Sequence, residues 1–133
     1  MPITVHHIAL TAADLGRSSR FYDAVLAVLG YQRRGGLSSP LVYAGDGPDV
    51  LVYAVEGADA APHRHGRPGL QHIALHVHEP GLVDAVFRTV VDAVGTIVHE
   101  PRFYDYMDGY YAVFAEDPDG SRLEIVHIPA GAA

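Results

Sequence analysis

Three side chains in this sequence combine a useful chemical type with a revealing setting: His7 in Val5-His6-His7-Ile8-Ala9-Leu10, His72 in Gln71-His72-Ile73-Ala74-Leu75, and Glu124 in Leu123-Glu124-Ile125-Val126. Each sits in a β-rich run in which the neighbouring aliphatic residues share one strand face and the polar residue takes the other. Where helices cover the aliphatic face, His7, His72 and Glu124 are left on the opposite, concave face. A carboxylate on an interior strand face is costly to desolvate unless a cation or several donors stand beside it. Two neutral imidazoles and one carboxylate form a site for one divalent metal ion, Zn, Mn, Fe, Co or Ni, and leave positions open for water or a chelating substrate. The chain has no cysteine, so thiolate ligands and thiol nucleophiles are excluded.

The elements that must position these residues are given by an internal repeat. The segment from His6 lies on the segment from Gln71 without a gap, matching His7 to His72 (72 − 7 = 65), Ile8-Ala9-Leu10 to Ile73-Ala74-Leu75, Gly16 to Gly81 and Gly30 to Gly95 (95 − 30 = 65). In the first copy a strand runs into Asp14, a natural helix N-cap, and Phe21, Tyr22, Val25, Leu26, Val28 and Leu29 form a helical stripe that ends at Gly30. In the second, Leu70 to His78 reads as the strand, Glu79-Pro80 opens a helix, and Val83, Val86, Phe87, Val90 and Val94 mark its apolar face before Gly95 closes it. Three strand candidates follow each helix, at about 31–36, 41–45 and 49–55, and at about 96–100, 110–116 and 121–128. The expected fold class is α+β, with two tandem βαβββ modules forming a U-shaped mixed sheet around a cleft. A single domain over 1–133 would hold module 1 at about 3–56, a Gly/Pro/Ala-rich linker at about 57–69 and module 2 at about 70–129.

Composition narrows the partners. Forty-nine per cent apolar and 19% charged residues is globular rather than disordered composition. A formal charge of −7, with no run of Lys or Arg, argues against nucleic acid. No apolar run is long enough to span a bilayer, and the first residues lack the order of a signal peptide, so no membrane partner and a cytoplasmic location are expected.

The pattern HHIAL followed by DLGRSSRFY, then QHIAL, then DPDGSRLEIVH, resembles the vicinal oxygen chelate superfamily, which contains glyoxalases, extradiol dioxygenases, fosfomycin-resistance enzymes and bleomycin-binding proteins. The likeness runs from about Thr4 to Ile128. It implies a cation between paired modules, with ligands on the first and last strands of each: His7, His72 and Glu124 here. The fourth such position is Leu51, which cannot bind a metal, so the set looks like the three-ligand pattern of dioxygenases and fosfomycin-modifying enzymes. Tyr53, two residues on, shares the face of Leu51 and could reach the cleft. The resemblance also implies a small-molecule substrate and a homodimer whose modules pair across chains, with His7 and the His72–Glu124 pair on different subunits.

Further candidates follow. His76, with His78 behind it, shares the face of His72 and could carry a proton near neutral pH. Arg122 shares the face of Glu124 and could pair with it or grip an anionic substrate. In similar family members the segment before the last hairpin borders the cleft. Here it is Arg102-Phe103-Tyr104-Asp105-Tyr106-Met107-Asp108-Gly109-Tyr110-Tyr111, which supplies Arg102, Tyr104 and Tyr106 as substrate contacts and Tyr111 as a second catalytic candidate. His63, Arg64, His65 and Arg67 form a small basic cluster in the linker. The functions in view are a glyoxalase-like lyase or isomerase with the metal as Lewis acid, an extradiol-type dioxygenase, a fosfomycin-type thiol transferase, or a metal-free binding protein of the bleomycin-resistance kind.

Overall fold

Each half of the repeat folds as strand, helix and three strands, and the structure, a computed structural model, describes all 133 residues. In chain order these are β1 (His7–Ala12), α1 (Leu15–Val28), β2 (Gln32–Arg34), β3 (Leu41–Ala44) and β4 (Asp49–Ala54), then β5 (Ile73–Val77), α2 (Pro80–Asp92), β6 (Thr96–Tyr104), β7 (Tyr110–Glu116) and β8 (Arg122–His127). The eight strands form two four-stranded sheets, ordered β1-β4-β3-β2 and β5-β8-β7-β6. In each, the first strand runs parallel to the last and the other pairs are antiparallel, so both sheets are mixed.

Local chemistry accounts for the helix ends. The Asp14 carboxylate accepts the Arg17 backbone N–H at 2.9 Å, capping α1. At its other end Gly30, at φ 82°, donates to the Ala27 carbonyl while Tyr31 donates to that of Leu26, a Schellman closure that needs a left-handed residue. Helix α2 starts on Pro80 with no side-chain cap and ends at Asp92. Gly95 therefore does not close it; a Cβ there would lie 2.5 Å from the Phe21 ring and 3.0 Å from the Glu116 carbonyl, so glycine permits one module to approach the other.

The helices cover one face of each sheet. Phe21, Tyr22, Val25 and Leu26 of α1 and Val83, Val86 and Val90 of α2 share a single buried cluster with Leu41, Tyr43, Val52, Val113 and Ile125. The modules are tied by the turn between β7 and β8. Asp119 accepts hydrogen bonds from the Ala13 N–H (3.3 Å), the Arg17 guanidinium (3.0 Å) and the Ser18 hydroxyl (3.3 Å), while the Tyr22 hydroxyl donates to Asp117 at 2.6 Å. The linker joins the same turn, its His63 N–H donating to the Asp119 carbonyl at 2.8 Å.

Two strands depart most from expectation: β5 starts at Ile73 rather than Leu70, which leaves His72 just ahead of it. β6 continues to Tyr104 rather than stopping near residue 100, because two register shifts, between Ile97 and His99 and between His99 and Arg102, let it bend around and keep pairing with β7. The tyrosine-rich segment is strand at both ends, Arg102–Tyr104 in β6 and Tyr110–Tyr111 in β7.

Candidate metal centre

Register decides which side chains share the face of the second sheet turned away from the helices. Glu124 of β8 lies beside Ala74 of β5 and opposite Phe114 of β7, and Phe114 in turn opposes His99 of β6. Residues directly opposite one another project to the same side. Glu124, Phe114, Tyr110, Tyr104, Arg102 and His99 therefore form one surface, with His72, the residue immediately before β5, beside them.

Glu124 is the chemically strained member, only 3% exposed. Its Oε1 lies 3.1 Å from His72 Nε2, an imidazole left 32% exposed, and its Oε2 accepts a short hydrogen bond from the Tyr110 hydroxyl. Burial, then the bond to Glu124, pushes the Tyr110 phenol well above its ordinary range, so it remains a donor at any physiological pH. The rings of Phe114 and His72 meet edge to face at 5.6 Å, and Tyr104 packs against Phe114 at 5.8 Å. Tyr104 and Tyr106 stack nearly parallel at 5.4 Å, and the Arg102 guanidinium lies 4.7 Å above the Tyr104 ring. Arg102 is exposed, and the buried Tyr104 hydroxyl has no hydrogen-bond partner.

His7 stands apart. It is exposed on β1, its Nδ1 2.8 Å from that of His6, and no group of three or more His, Asp or Glu side chains gathers closely enough to hold a metal ion within one chain. Leu51 and Tyr53 share its face, Leu51 beside Ala9 and Tyr53 beside Thr11, with Tyr53 43% exposed.

Three other expected residues have duties elsewhere. Arg122 opposes Glu116 across the β7–β8 pair and binds it through Nε at 3.1 Å and Nη2 at 2.8 Å, so it does not pair with Glu124. Tyr111 faces the helices, where its hydroxyl donates to Asp84 of α2 at 2.6 Å, and so lies on the opposite side of the sheet from Glu124. His76 is exposed, with Nε2 3.4 Å from the Ile128 backbone rather than beside Glu124. The residue missed from the sequence is Tyr110. The signal that finds it is hairpin register: Glu116 pairs with Arg122 across the turn, which sets every even-numbered residue of β7 on the Glu124 side.

Known proteins share the sequence pattern and the fold. The family model for the glyoxalase/bleomycin resistance protein/dioxygenase superfamily matches residues 4–125. The uncharacterized protein YqjT of Bacillus subtilis is 32% identical over 124 residues, covering 92% of this chain and 97% of that protein. Among solved structures, a candidate glyoxalase from Bacillus halodurans superposes with a TM-score of 0.79 at 26% identity, covering 93% of this chain and 95% of its own. A glyoxalase/bleomycin resistance protein from Albidiferax ferrireducens gives 0.76 at 25%, covering 92% and 97%.

Proposed function

Because the chain belongs to the glyoxalase/bleomycin resistance protein/dioxygenase superfamily, we propose that it is a divalent-metal-dependent enzyme for a small oxygenated substrate, its metal held by His72 and Glu124 of one chain and His7 of a second copy. The observation that carries this reading is Glu124, a buried acid with an imidazole at 3.1 Å and no lysine or arginine bound to it. A carboxylate in that position needs positive charge, and a cation beside an adjacent imidazole supplies it. The donor set fits: neutral nitrogens and one carboxylate oxygen suit first-row divalent metals and leave coordination positions free.

A cation held there supplies Lewis acidity to a carbonyl, enediolate, epoxide or catecholate oxygen. The chain's own part is to fix Glu124 on β8 and His72 immediately ahead of the neighbouring β5, and to wall one side of the site with Phe114, Tyr104, Tyr106 and Tyr110. The exposed guanidinium of Arg102 can meet an anionic group at the rim. Lyase or isomerase chemistry is the reading we favour, in keeping with the similarity to the Bacillus halodurans candidate glyoxalase; ring-opening oxidation and thiol addition draw on the same ligands. The homodimer, and the meeting of His7 with the other two ligands across it, belong to this proposal.

Elemental analysis tests it. Wild-type protein purified without added metal should carry up to one divalent ion per chain, and His72→Ala and Glu124→Ala should lose it together with any metal-dependent rise in melting temperature. If all three carry equal trace metal, the metal centre is refuted. The aromatic wall would then favour a second reading, a metal-free cleft that sequesters a small molecule.

A further inference from the structure

We infer that Tyr110 is a positioning residue: its phenol occupies Oε2 of Glu124 and so leaves Oε1, the oxygen beside His72, as the only donor this carboxylate offers. The inference rests on the metal reading above and adds to it a control over how the acid binds and which metal is preferred.

The geometry carries the argument. Glu124 has two side-chain partners and no others, His72 Nε2 on one oxygen and the Tyr110 hydroxyl on the other. The phenol is held from both sides, since its ring meets Tyr106 edge to face at 5.2 Å and Tyr104 at 6.1 Å, and those two rings stack on each other. Such a buttressed donor cannot swing aside as an exposed tyrosine would. A carboxylate binds a cation through one oxygen or both, and an oxygen already accepting a phenol proton is the poorer donor. One-oxygen binding keeps the number of protein donors low. That favours ions content with few ligands, such as Zn(II) and Co(II), over Mn(II), which prefers more oxygen.

The same strand provides a control. Tyr111 donates to Asp84 on the helix side, a phenol–carboxylate bond of the same kind that serves only packing. Tyr110→Phe and Tyr111→Phe each remove one hydroxyl, one beside Glu124 and one remote from it.

The experiment titrates wild type and both variants with Co(II), following the visible absorption bands, and then measures competition between Zn(II) and Mn(II). Tyr110→Phe should weaken the cobalt bands as the freed oxygen raises the coordination number, and shrink the preference for Zn(II) over Mn(II) by on the order of tenfold. Tyr111→Phe should lower the melting temperature and leave both readings at wild-type values. Tyr106→Leu, at an exposed position, removes one buttress and should shift both readings part of the way. The inference is overturned if Tyr110→Phe binds cobalt with the wild-type spectrum and preference, or if Tyr111→Phe changes them as much. Wild-type protein that takes up no cobalt overturns the metal reading, and this inference with it; uptake with unchanged variants overturns the inference alone.

Discussion

A carboxylate withdrawn from water is a demand that its surroundings must answer, and this chain answers it in two ways. Glu124 is met by an imidazole and a phenol and faces the open side of its sheet. Asp117 is met by the Tyr22 hydroxyl and the backbone N–H groups of Asp119 and Ser121, and it faces inward. Burial pushes the Asp117 carboxyl above its ordinary value of 3.8 despite those donors. A carboxyl raised on folding adds stability below the ordinary value and loses it as pH climbs through the raised one. Asp117→Asn keeps an acceptor for both N–H groups but cannot ionise. Thermal melts from pH 4 to 8 should therefore show wild type losing ground to the variant as pH rises, and a difference independent of pH would refute this. At this scale the sequence was informative wherever alternation alone decides: it put Glu124 and His72 on one face of the sheet, where their side chains lie 3.1 Å apart. It missed Tyr110 for Tyr111 because the choice between neighbours depends on register across the hairpin. Arg122 has the parity expected of it, yet its cross-strand partner Glu116 lies nearer than Glu124 and claims the guanidinium.

At the scale of elements, two glycines that the repeat places near opposite ends of α2 do different work. Gly95 sits where a methyl group would strike the Phe21 ring and the Glu116 carbonyl, whereas nothing lies within 4 Å of a Cβ at Gly81. Gly95→Ala is expected to cost about 1–3 kcal/mol through overpacking. Gly81→Ala, in the first turn of α2, should be neutral or stabilising by up to about 1 kcal/mol. Urea unfolding of both checks the pair, and equal effects would mean that contact between modules does not set the demand for glycine. The strands and helices were legible because hydrophobic period and turn residues are local. The bends in β6 were not, because a bulge is set by the pairing strand rather than by the residues that bulge.

For the whole molecule, surface area is telling. The chain exposes 7844 Å², whereas a folded monomer of 14.3 kDa is expected to expose about 6,800 Å². The excess, roughly 1,000 Å² per chain, is comparable to what each partner contributes to a standard stable interface. Tyr53, Phe103 and Tyr106 are among the large side chains left exposed. A dimer that pairs module 1 of one copy with module 2 of another would cover such surface and bring His7 to His72 and Glu124. Mixing His7→Ala with Glu124→Ala tests that pairing, because the mixed dimer then regains one intact site. With random exchange, metal content should return to about a quarter of wild type; sites contained within single chains would stay empty. The sequence could not show that His7 stands apart, since a repeat gives each module its ligands but not the angle between modules.

The turn that binds Asp119 to Ala13, Arg17 and Ser18 has a further effect in the proposed dimer. Each chain carries two half-sites on one braced body, so the meeting of one complementary pair delivers the other at high effective concentration. Both clefts then close as a single event. Dilution that separates the copies opens both clefts at once, whichever of them holds metal.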